Sequence, residues 1–192
     1  GVKRWREVMA TALSRASHLI TTSPSARDLI LYALPSLRRL PFDVIPHGRD
    51  FKSFRQAANP PRRGEKLKVL ALGSIAPSKG AHILAALAQD SRLDLHILGE
   101  AAPFLRVPGI THHGAYERDS VLDRICRLAP HVGLIASTWP ETYYHTLTEL
   151  WAAGVPVVAF GLGAVGERRD ETSPGWYVTA NSTLEMARKL HR

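Results

Sequence analysis

The amino-acid sequence predicts an α/β fold built on a doubly wound, Rossmann-like parallel sheet. From Lys66 onward, short apolar runs rich in Val, Ile and Leu alternate with segments whose apolar residues recur at helical spacing. Such runs are typical of strands buried on both faces, and parallel neighbours need a crossover helix between them. Because the alternation continues over most of the chain, we expect helices on both faces of one sheet.

The predicted elements follow one another in a regular order. The strands are KVLALG (68–73), LDLHILG (93–99), a weaker GITHHG (109–114), HVGLIAS (131–137), VPVVAF (155–160) and GWYV (175–178). The first helices are AHILAALAQ (81–89) and SVLDRICRL (120–128). Another helix follows the loop TWPET, because Leu147 and Leu150 share one helical face and Gly154 stands where a helix commonly ends.

The first third of the chain is organised differently. It contains one strand, a helix interrupted at Pro35 and a second strand, which is too little to enclose a core of its own. We therefore expect residues 1–58 to be the tail of a preceding domain, residues 59–65 a Pro-rich linker, and residues 66–192 a complete domain. The chain begins without Met, which agrees with a fragment of a longer protein.

The net charge of +8 lies entirely in the N-terminal third. Residues 1–66 hold 13 Lys and Arg against 5 acidic residues, whereas residues 67–192 hold 12 of each. The basic residues alternate with Trp5, Val8 and Leu13, which is typical of the solvated side of an amphipathic helix. Peripheral contact with an anionic lipid surface is the first alternative interpretation; nucleic acid is a further alternative that we do not favour.

The composition is typical of a globular protein. The chain is 45% hydrophobic and 22% charged, as in ordinary globular domains. No apolar run approaches the ~20 residues of a membrane span, and no secretory signal is recognisable. We therefore expect a cytoplasmic protein, with the inner membrane surface as an alternative location. Cys126 lies in an apolar helical stripe and is expected in the core. His112 and His113 have no partner at ligand spacing, so neither a metal nor another cofactor is expected.

Two acidic residues, Glu141 and Glu149, flank the start of the helix that follows HVGLIAS. Glu141 precedes the helix and Glu149 lies on its face away from the leucines, so neither is expected in the core. A helix start offers unpaired N–H groups and a partial positive charge to an anion, and carboxylates accept bonds from hydroxyl groups. The pattern favours a ligand that joins hydroxyl-rich groups to phosphate, although solvated surface acids could have the same spacing.

Two loops are expected to meet at this helix start. Residues 74–79 follow the first strand of the sheet and residues 138–141 follow the fourth. Ligands of open parallel sheets bind beyond the carboxyl ends of the strands, where both loops lie. Lys79 is unfavourable near a helix N-terminus unless it meets an anion, so its position indicates an anion site.

A third loop, GLGAVG (161–166), matches the G-x-G-x-x-G pattern of dinucleotide-binding proteins. However, the next predicted strand begins near Gly175, and the eight residues ERRDETSP leave too little room for the helix that the motif requires. We therefore reject a dinucleotide site here, and a tight turn explains the glycines equally well.

Five stretches, in the correct order, resemble the C-terminal domain of family 4 of the retaining glycosyltransferases, enzymes with the two-domain GT-B fold. PETYYHTLTELWAAGVP (140–156) resembles the E-x7-E signature of the family, and GSIAPSKG (73–80) resembles its glycine loop. The other three are HGAYERDSVLDRICRLAPHVGLIAS (113–137), GAVGE (163–167) with GWYV, and VIPHGRDF (44–51). The resemblance implies that residues 66–192 form the nucleotide-sugar donor-binding domain and that residues 1–58 are the tail of the acceptor domain.

The resemblance also implies roles for individual residues. Glu141 would face the hydroxyls of the donor sugar, Glu149 would take the ribose hydroxyls, and Lys79 would neutralise the departing diphosphate. The acceptor would attack on the leaving-group face, so that configuration is retained without a protein nucleophile and without metal. The further donor-binding residues that it implies are Gly73, Ser74, Thr142, Tyr143, Tyr144, His145, Thr146, His113 and Tyr116.

The resemblance implies a nucleotide sugar as donor, an acceptor sugar or lipid-linked glycan held by the missing N-terminal domain, and a place in polysaccharide or glycoconjugate biosynthesis. This chain departs from the family at Ser74, where many members carry Arg, and at Tyr144, where glycine is usual. Both departures favour one alternative, a non-catalytic nucleotide-sugar binding module. A nucleotide-sugar epimerase with the same fold is the other alternative, and it would need acid and base residues that the sequence does not reveal.

Overall fold

A computed structural model describes residues 1–169, 175–178 and 183–190 of the chain. Its main sheet has six parallel strands in the order β5-β4-β3-β6-β7-β8. These strands are β3 (Leu67–Leu72), β4 (Leu93–Leu98), β5 (Ile110–His112), β6 (Val132–Ile135), β7 (Val157–Phe160) and β8 (Gly175–Val178). All six coincide with predicted strands, so the predicted fold class is confirmed.

Helices connect the strands on both faces of the sheet. They are α3 (Ala81–Leu87), α4 (Val121–Leu128), α5 (His145–Ala152), α6 (Ala164–Glu167) and α7 (Thr183–Leu190). Successive side chains of a strand point to opposite faces. Val69 and Ala71 of β3 accordingly pack with α3 and α7, whereas Leu70 and Leu72 pack with α4 and α5. The sheet is therefore doubly wound, with one apolar layer on each face.

Helix α5 lies close against the sheet, which fixes the position of its N-terminus. Leu147 and Leu150 are fully buried on its inner face, as predicted. Gly133 of β6 makes this approach possible, because a Cβ atom there would lie 2.7 Å from Cδ1 of Leu150. Gly154, with φ 67°, follows the last helical turn as the sequence predicts.

The first third contains α1 (Val2–Leu13), β1 (Leu19–Thr21), α2 (Pro24–Ala33) and β2 (Phe42–Val44). β1 and β2 pair in parallel, with α2 as their crossover. The chain then runs along the end of α5, where the Arg55 and Ala57 amides donate to the carbonyls of Ala152 and Ala153 at 2.8 and 2.7 Å. The domain boundaries at residues 58 and 65 stay predictions.

Three further predictions concern single features of the chain. α1 buries none of its side chains, and its Trp5 is 58% exposed, so the solvated and lipid-surface interpretations both stay open. Cys126 is half-buried against the apolar layer of α4. α6, which overlaps the end of the rejected GLGAVG motif, has only four residues, while residues 170–174 of the stretch that follows lie outside the described part of the chain. Among the described residues, no helix is long and apolar enough to cross a membrane.

Candidate functional site

The loops after β3 and β6 meet at the carboxyl edge of the sheet, as predicted. The Thr138 amide donates to the carbonyl of Ser78 at 3.0 Å, which joins the two loops. Gly80 allows this approach, because it has φ +84° and a Cβ atom there would lie 2.1 Å from the carbonyl oxygen of Ala136. The two loops therefore form one continuous surface beside the start of α5.

Glu141 lies in this surface and is only 9% exposed. Its Oε1 accepts three hydrogen bonds, from Lys79 Nζ at 2.6 Å, Ser137 Oγ at 2.6 Å and Trp139 Nε1 at 2.9 Å. Oε2 makes none of these three bonds. The backbone of Glu141 also forms a β-bridge with Gly163, which draws the loop inward. The expectation of a carboxylate away from the interior is therefore wrong, because the bridge and the ammonium group of Lys79 allow its burial.

Tyr144 forms the turn into α5. Its backbone has φ 74°, a left-handed conformation that favours glycine, at the position where the resembled family usually has glycine. Lys79 Nζ lies 4.6 Å from the centroid of the Tyr144 ring, so the side chain adds a cation-π contact. Burial, and then the charge of Glu141, raise the pKa of the Tyr144 hydroxyl. This hydroxyl therefore stays neutral at physiological pH.

Glu149, on α5, is also buried. Its Oε1 accepts from Arg49 Nη2 at 2.9 Å, and its Oε2 accepts from the Tyr116 hydroxyl at 3.1 Å. Burial raises the pKa of the Glu149 carboxyl, and the Tyr116 bond and the charge of Arg118 act in the opposite direction. The ion pair with Arg49 further favours the carboxylate form. The expectation that Glu149 lies on a solvated face is wrong, because the segment after β2 covers that face.

Arg49 is the functional candidate that the sequence analysis did not identify. Its guanidinium also donates to the carbonyl of Arg118 at 3.2 Å and lies 5.1 Å from the centroid of the Phe51 ring. Its Nε is buried without a hydrogen-bond partner among the described residues. The Arg within VIPHGRDF was the one sequence feature that could have indicated this role. The sequence alone does not reveal its partner, because Glu149 follows 100 positions later.

Three rings gather over the segment that enters α5. His47 lies 5.2 Å from Tyr143 and 5.1 Å from His145, and the last two are 5.0 Å apart, all between ring centroids. Burial lowers the pKa of His145, and the nearby His47, Arg118 and Arg168 lower it further. The hydroxyl of Thr22 donates to the carbonyl of Thr142 at 2.7 Å. Residues of the first third thus contact the helix entrance directly.

Arg168 fixes the same turn from the other side. It donates to the carbonyls of Tyr143 and Tyr144 at 3.2 and 3.3 Å and to Thr148 Oγ1 at 2.7 Å. Its guanidinium carbon also lies 4.5 Å from the centroid of the Tyr143 ring. These contacts occupy the last carbonyls before α5, so Arg168 holds the left-handed turn in place.

The remaining predicted site residues line the same edge. Gly73 ends β3 with φ +99°, and a Cβ atom there would lie 3.0 Å from Thr146 Cγ2, so the glycine brings the first loop against α5; Ser74, next to it, is exposed. His113 Nε2 lies 2.8 Å from His96 Nδ1, and His96 Nε2 lies 2.9 Å from an oxygen of Asp94. Burial, and then His96, lower the pKa of His113.

The structure therefore brings five of the twelve predicted site residues into two contact groups. Lys79, Glu141 and Tyr144 form one, whereas Tyr116 and Glu149 form the other together with the unpredicted Arg49. His113 is bonded to His96 instead. Within the described residues, no group of three or more His, Cys, Asp or Glu side chains is arranged to hold a metal ion. The α5 N-terminus, which has no side-chain cap, lies beside both groups and can receive an anion.

The sequence matches no established family model and no curated protein. Among solved structures, a sucrose-phosphate synthase from Thermosynechococcus elongatus superposes with a TM-score of 0.78 and 19% identity, over 99% of this chain and 52% of that one. Anabaena HepE, in complex with UDP and glucose, has a TM-score of 0.74 and 21% identity, over 97% of this chain and 56% of HepE.

A third structure is the pneumococcal O-GlcNAc transferase GtfA in complex with UDP and GlcNAc, with a TM-score of 0.65 and 18% identity, over 97% of this chain and 40% of GtfA. This chain has the fold of the C-terminal part of a GT-B protein. It spans about half the length of the first solved structures that it matches. The resemblance found in the sequence is confirmed at the level of the GT-B fold.

Proposed function

We propose that this chain is the donor-binding part of a glycosyltransferase, and that it binds a nucleoside-diphosphate sugar. One observation carries the proposal: two buried carboxylates, each hydrogen-bonded to a basic side chain, flank the uncapped N-terminus of α5. Buried carboxylates are costly unless they are paired, and they recur at functional sites. The similar folds of HepE and GtfA, both described in complex with UDP and a sugar, make UDP the first candidate nucleotide.

Each part of such a donor has a counterpart at this edge. Glu149 accepts the ribose hydroxyls and Tyr116 flanks the nucleotide, while the diphosphate lies at the start of α5 within reach of Lys79. Glu141 accepts hydroxyls of the sugar, with Oε2 as the oxygen that is not bonded to Lys79, Ser137 or Trp139. When the glycosidic bond breaks, negative charge grows on the leaving diphosphate, and a fixed ammonium group and helix dipole stabilise that charge.

The wider features of the proposed reaction rest on the resemblance to family 4 and its E-x7-E motif. We propose transfer with retained configuration, without a metal ion, in the cytoplasm and in the synthesis of a polysaccharide or glycoconjugate. The acceptor, a sugar or lipid-linked glycan, is held by the N-terminal domain that the longer relatives possess. The basic helix α1, with Trp5 exposed, offers a surface for peripheral contact with a membrane that carries such an acceptor.

Titration with UDP, GDP and ADP tests the proposal. The chain is expected to bind one of them without divalent ions, and a ligand at ~100 times its Kd raises the free energy of unfolding by ~2.7 kcal/mol. Glu149→Gln should weaken binding, because a neutral amide accepts ribose hydroxyls poorly. Glu117→Gln removes an exposed acid of the same edge and is the matched control. The proposal fails if none of the three nucleotides stabilises the chain or if Glu149→Gln leaves the affinity unchanged.

A second function, a nucleotide-sugar binding module without activity, is favoured by Tyr144. This residue fills the position of the usual glycine with a bulky ring in a left-handed conformation, and the ring covers Lys79. A transfer assay on the full-length protein, with anomeric configuration followed by NMR, separates the two functions. Nucleotide binding without any transfer, and transfer restored by Tyr144→Gly, would identify the binding module.

A further inference from the structure

The segment after β2 places two side chains in the candidate site, and they are two positions apart in the sequence. His47 contacts the rings of Tyr143 and His145, and Arg49 pairs with Glu149, while Gly48 lies between them. Alternation of this kind is expected of extended backbone, in which every second side chain faces the same way. One surface of the segment therefore covers α5 from its first residue to the carboxylate at its fifth.

The ion pair between Arg49 and Glu149 is unusually secluded. The two side chains are 5% and 7% exposed, and each makes a further hydrogen bond, Arg49 to the carbonyl of Arg118 and Glu149 to the Tyr116 hydroxyl. Removal of two charges from water costs several kcal/mol per ion, so such a pair adds little to stability compared with apolar packing. Its contribution is geometrical, because Arg49 Nη2 donates to both Glu149 Oε1 and the carbonyl of Arg118 and so fixes the position of the carboxylate.

We propose that Arg49 is a positioning residue for nucleotide binding, which keeps Glu149 ionised and oriented toward the ribose; this inference rests on the proposed function. Each oxygen of Glu149 has one protein donor, from Arg49 on Oε1 and from Tyr116 on Oε2. Each oxygen can accept more than one bond, so both can still accept a ribose hydroxyl. Without Arg49, the buried carboxyl group takes up a proton and loses much of its strength as an acceptor.

The arrangement also links two parts of the chain. Arg49 belongs to the segment between β2 and the main sheet, whereas Glu149 belongs to the helix that receives the nucleotide. A nucleotide that bonds to Glu149 thereby stabilises the position of the segment, and the segment in turn prepares Glu149. The pair thus couples donor binding to the path of the chain between β2 and the main sheet.

Discrimination between UDP and 2′-deoxy-UDP tests the proposal, because it isolates the ribose hydroxyl. For the wild-type chain we expect the Kd of 2′-deoxy-UDP to be about tenfold higher than that of UDP, as for loss of one hydrogen bond to a charged acceptor. Arg49→Met should reduce this ratio to nearly one, and the ratio should rise again with pH, because Glu149 becomes more fully ionised and Arg118 is the other cation that favours its carboxylate form. Arg49→Lys keeps the charge without the planar guanidinium and should retain a smaller ratio that varies less with pH.

Two further variants keep the test independent of folding. Arg49→Met combined with Glu149→Gln leaves no unpaired buried charge, and its ratio should be near one at every pH. Arg55→Met removes an exposed Arg of the same segment, 3.8 Å from Asp123, and should keep the wild-type ratio. An unchanged ratio in Arg49→Met at every pH would overturn the positioning role while the proposed function stands. If the wild-type chain prefers GDP or ADP, the same ratio is measured with that nucleotide and its 2′-deoxy form. Failure to bind any of the three nucleotides, or equal binding of a nucleotide and its 2′-deoxy form, would instead overturn the proposed use of Glu149 and this inference with it.

Discussion

The carboxyl and amino edges of the main sheet differ in how deeply their charged side chains are buried. At the carboxyl edge, Glu149 and Arg49 are buried as a pair, and Glu141 is bonded to Lys79. At the amino edge, the pair of Arg92 with Asp90 is less buried, with side chains that are 67% and 20% exposed. The amino edge nevertheless has a cavity of about 910 Å³ beneath the Pro-rich linker, with Leu67, Val132, Pro156 and Leu190 in its lining, whereas the cavity beside Gly163 at the carboxyl edge has about 340 Å³.

The contrast shows that the size of an opening does not locate the chemistry of this sheet. At the carboxyl edge, strands end in loops that lead to helix starts, and this arrangement gathers unpaired N–H groups and backbone carbonyls at one place. Buried polar groups are tolerated there because they have partners, as Glu141 has Lys79, Ser137 and Trp139. The amino edge has an apolar lining and less buried charges, which suits packing rather than recognition of a polar ligand.

The largest expected difference between the edges concerns the free energy of unfolding. Arg49→Met leaves Glu149 buried without its charge partner, which should lower this free energy by about 3–5 kcal/mol. Arg92→Met removes the matched pair of the amino edge, and because the Arg92 side chain is mostly exposed, we expect a much smaller change of the unfolding midpoint. Urea titrations of the two variants at pH 7.5 make the measurement. Equal losses of stability in both variants would contradict the contrast.

The strands and helices of the main sheet were predictable, because they depend on local patterns. The branched run of β6, the apolar face of α5 and Gly154 after it all lie within a few dozen residues, and each has a periodicity or a turn signal. The convergence of the two loops followed from topology alone, since parallel strands place their carboxyl ends at one edge.

Burial at the site was not predictable from these patterns. The helical pattern placed Glu149 on a polar face, which was right for α5 alone, but the segment containing Arg49 covers that face from 100 positions away. In the same way, Glu141 is buried because its backbone pairs with Gly163 in a later loop. Contacts between distant segments have no signature in a single sequence, and the cation that makes burial of an acid tolerable gives no local signal either.

A lysine at each edge provides the second test. Lys79→Met should weaken binding of UDP by about 1.5–3 kcal/mol, because the ammonium group contributes a charge-assisted hydrogen bond to the diphosphate. Uridine, which has no phosphate, should bind the variant and the wild-type chain equally. Lys66→Met, in the lining of the amino-edge cavity, is the matched control and should bind UDP normally. Calorimetric titration gives all these affinities, and an equal loss for UDP and uridine would assign Lys79 a structural role.

The carboxyl edge should also be the more sensitive of the two to acid. Burial and His96 lower the pKa of His113, so the folded state binds a proton there less readily than the unfolded chain does. Stability is therefore present above the unfolded pKa near 6.5 and is lost as pH falls through the lowered pKa. His113→Gln should reduce the slope of the unfolding free energy against pH between 7.5 and 5. The reduction corresponds to the uptake of up to about one proton on unfolding.

The control for this effect is His82→Gln, which removes an exposed histidine whose ring stacks on Phe104 at 4.7 Å. Urea titrations at several pH values should give His82→Gln the same slope as the wild-type chain. A slope in His113→Gln equal to or steeper than that of the wild type would show that His113 does not cause the sensitivity to acid.

The smallest expected effect is at the amino edge itself. Ser91 is exposed and lines the cavity, so Ser91→Leu places an apolar side chain at its rim without breaking a described hydrogen bond or ion pair. Surface substitutions of this kind change free energies by about 0.5 kcal/mol or less, which corresponds to a change of about twofold in the Kd of UDP. If the nucleotide binds at the carboxyl edge, the Kd should stay within that range. A tenfold change would mean that the larger cavity takes part in nucleotide binding, because the carboxyl-edge groups are untouched in this variant.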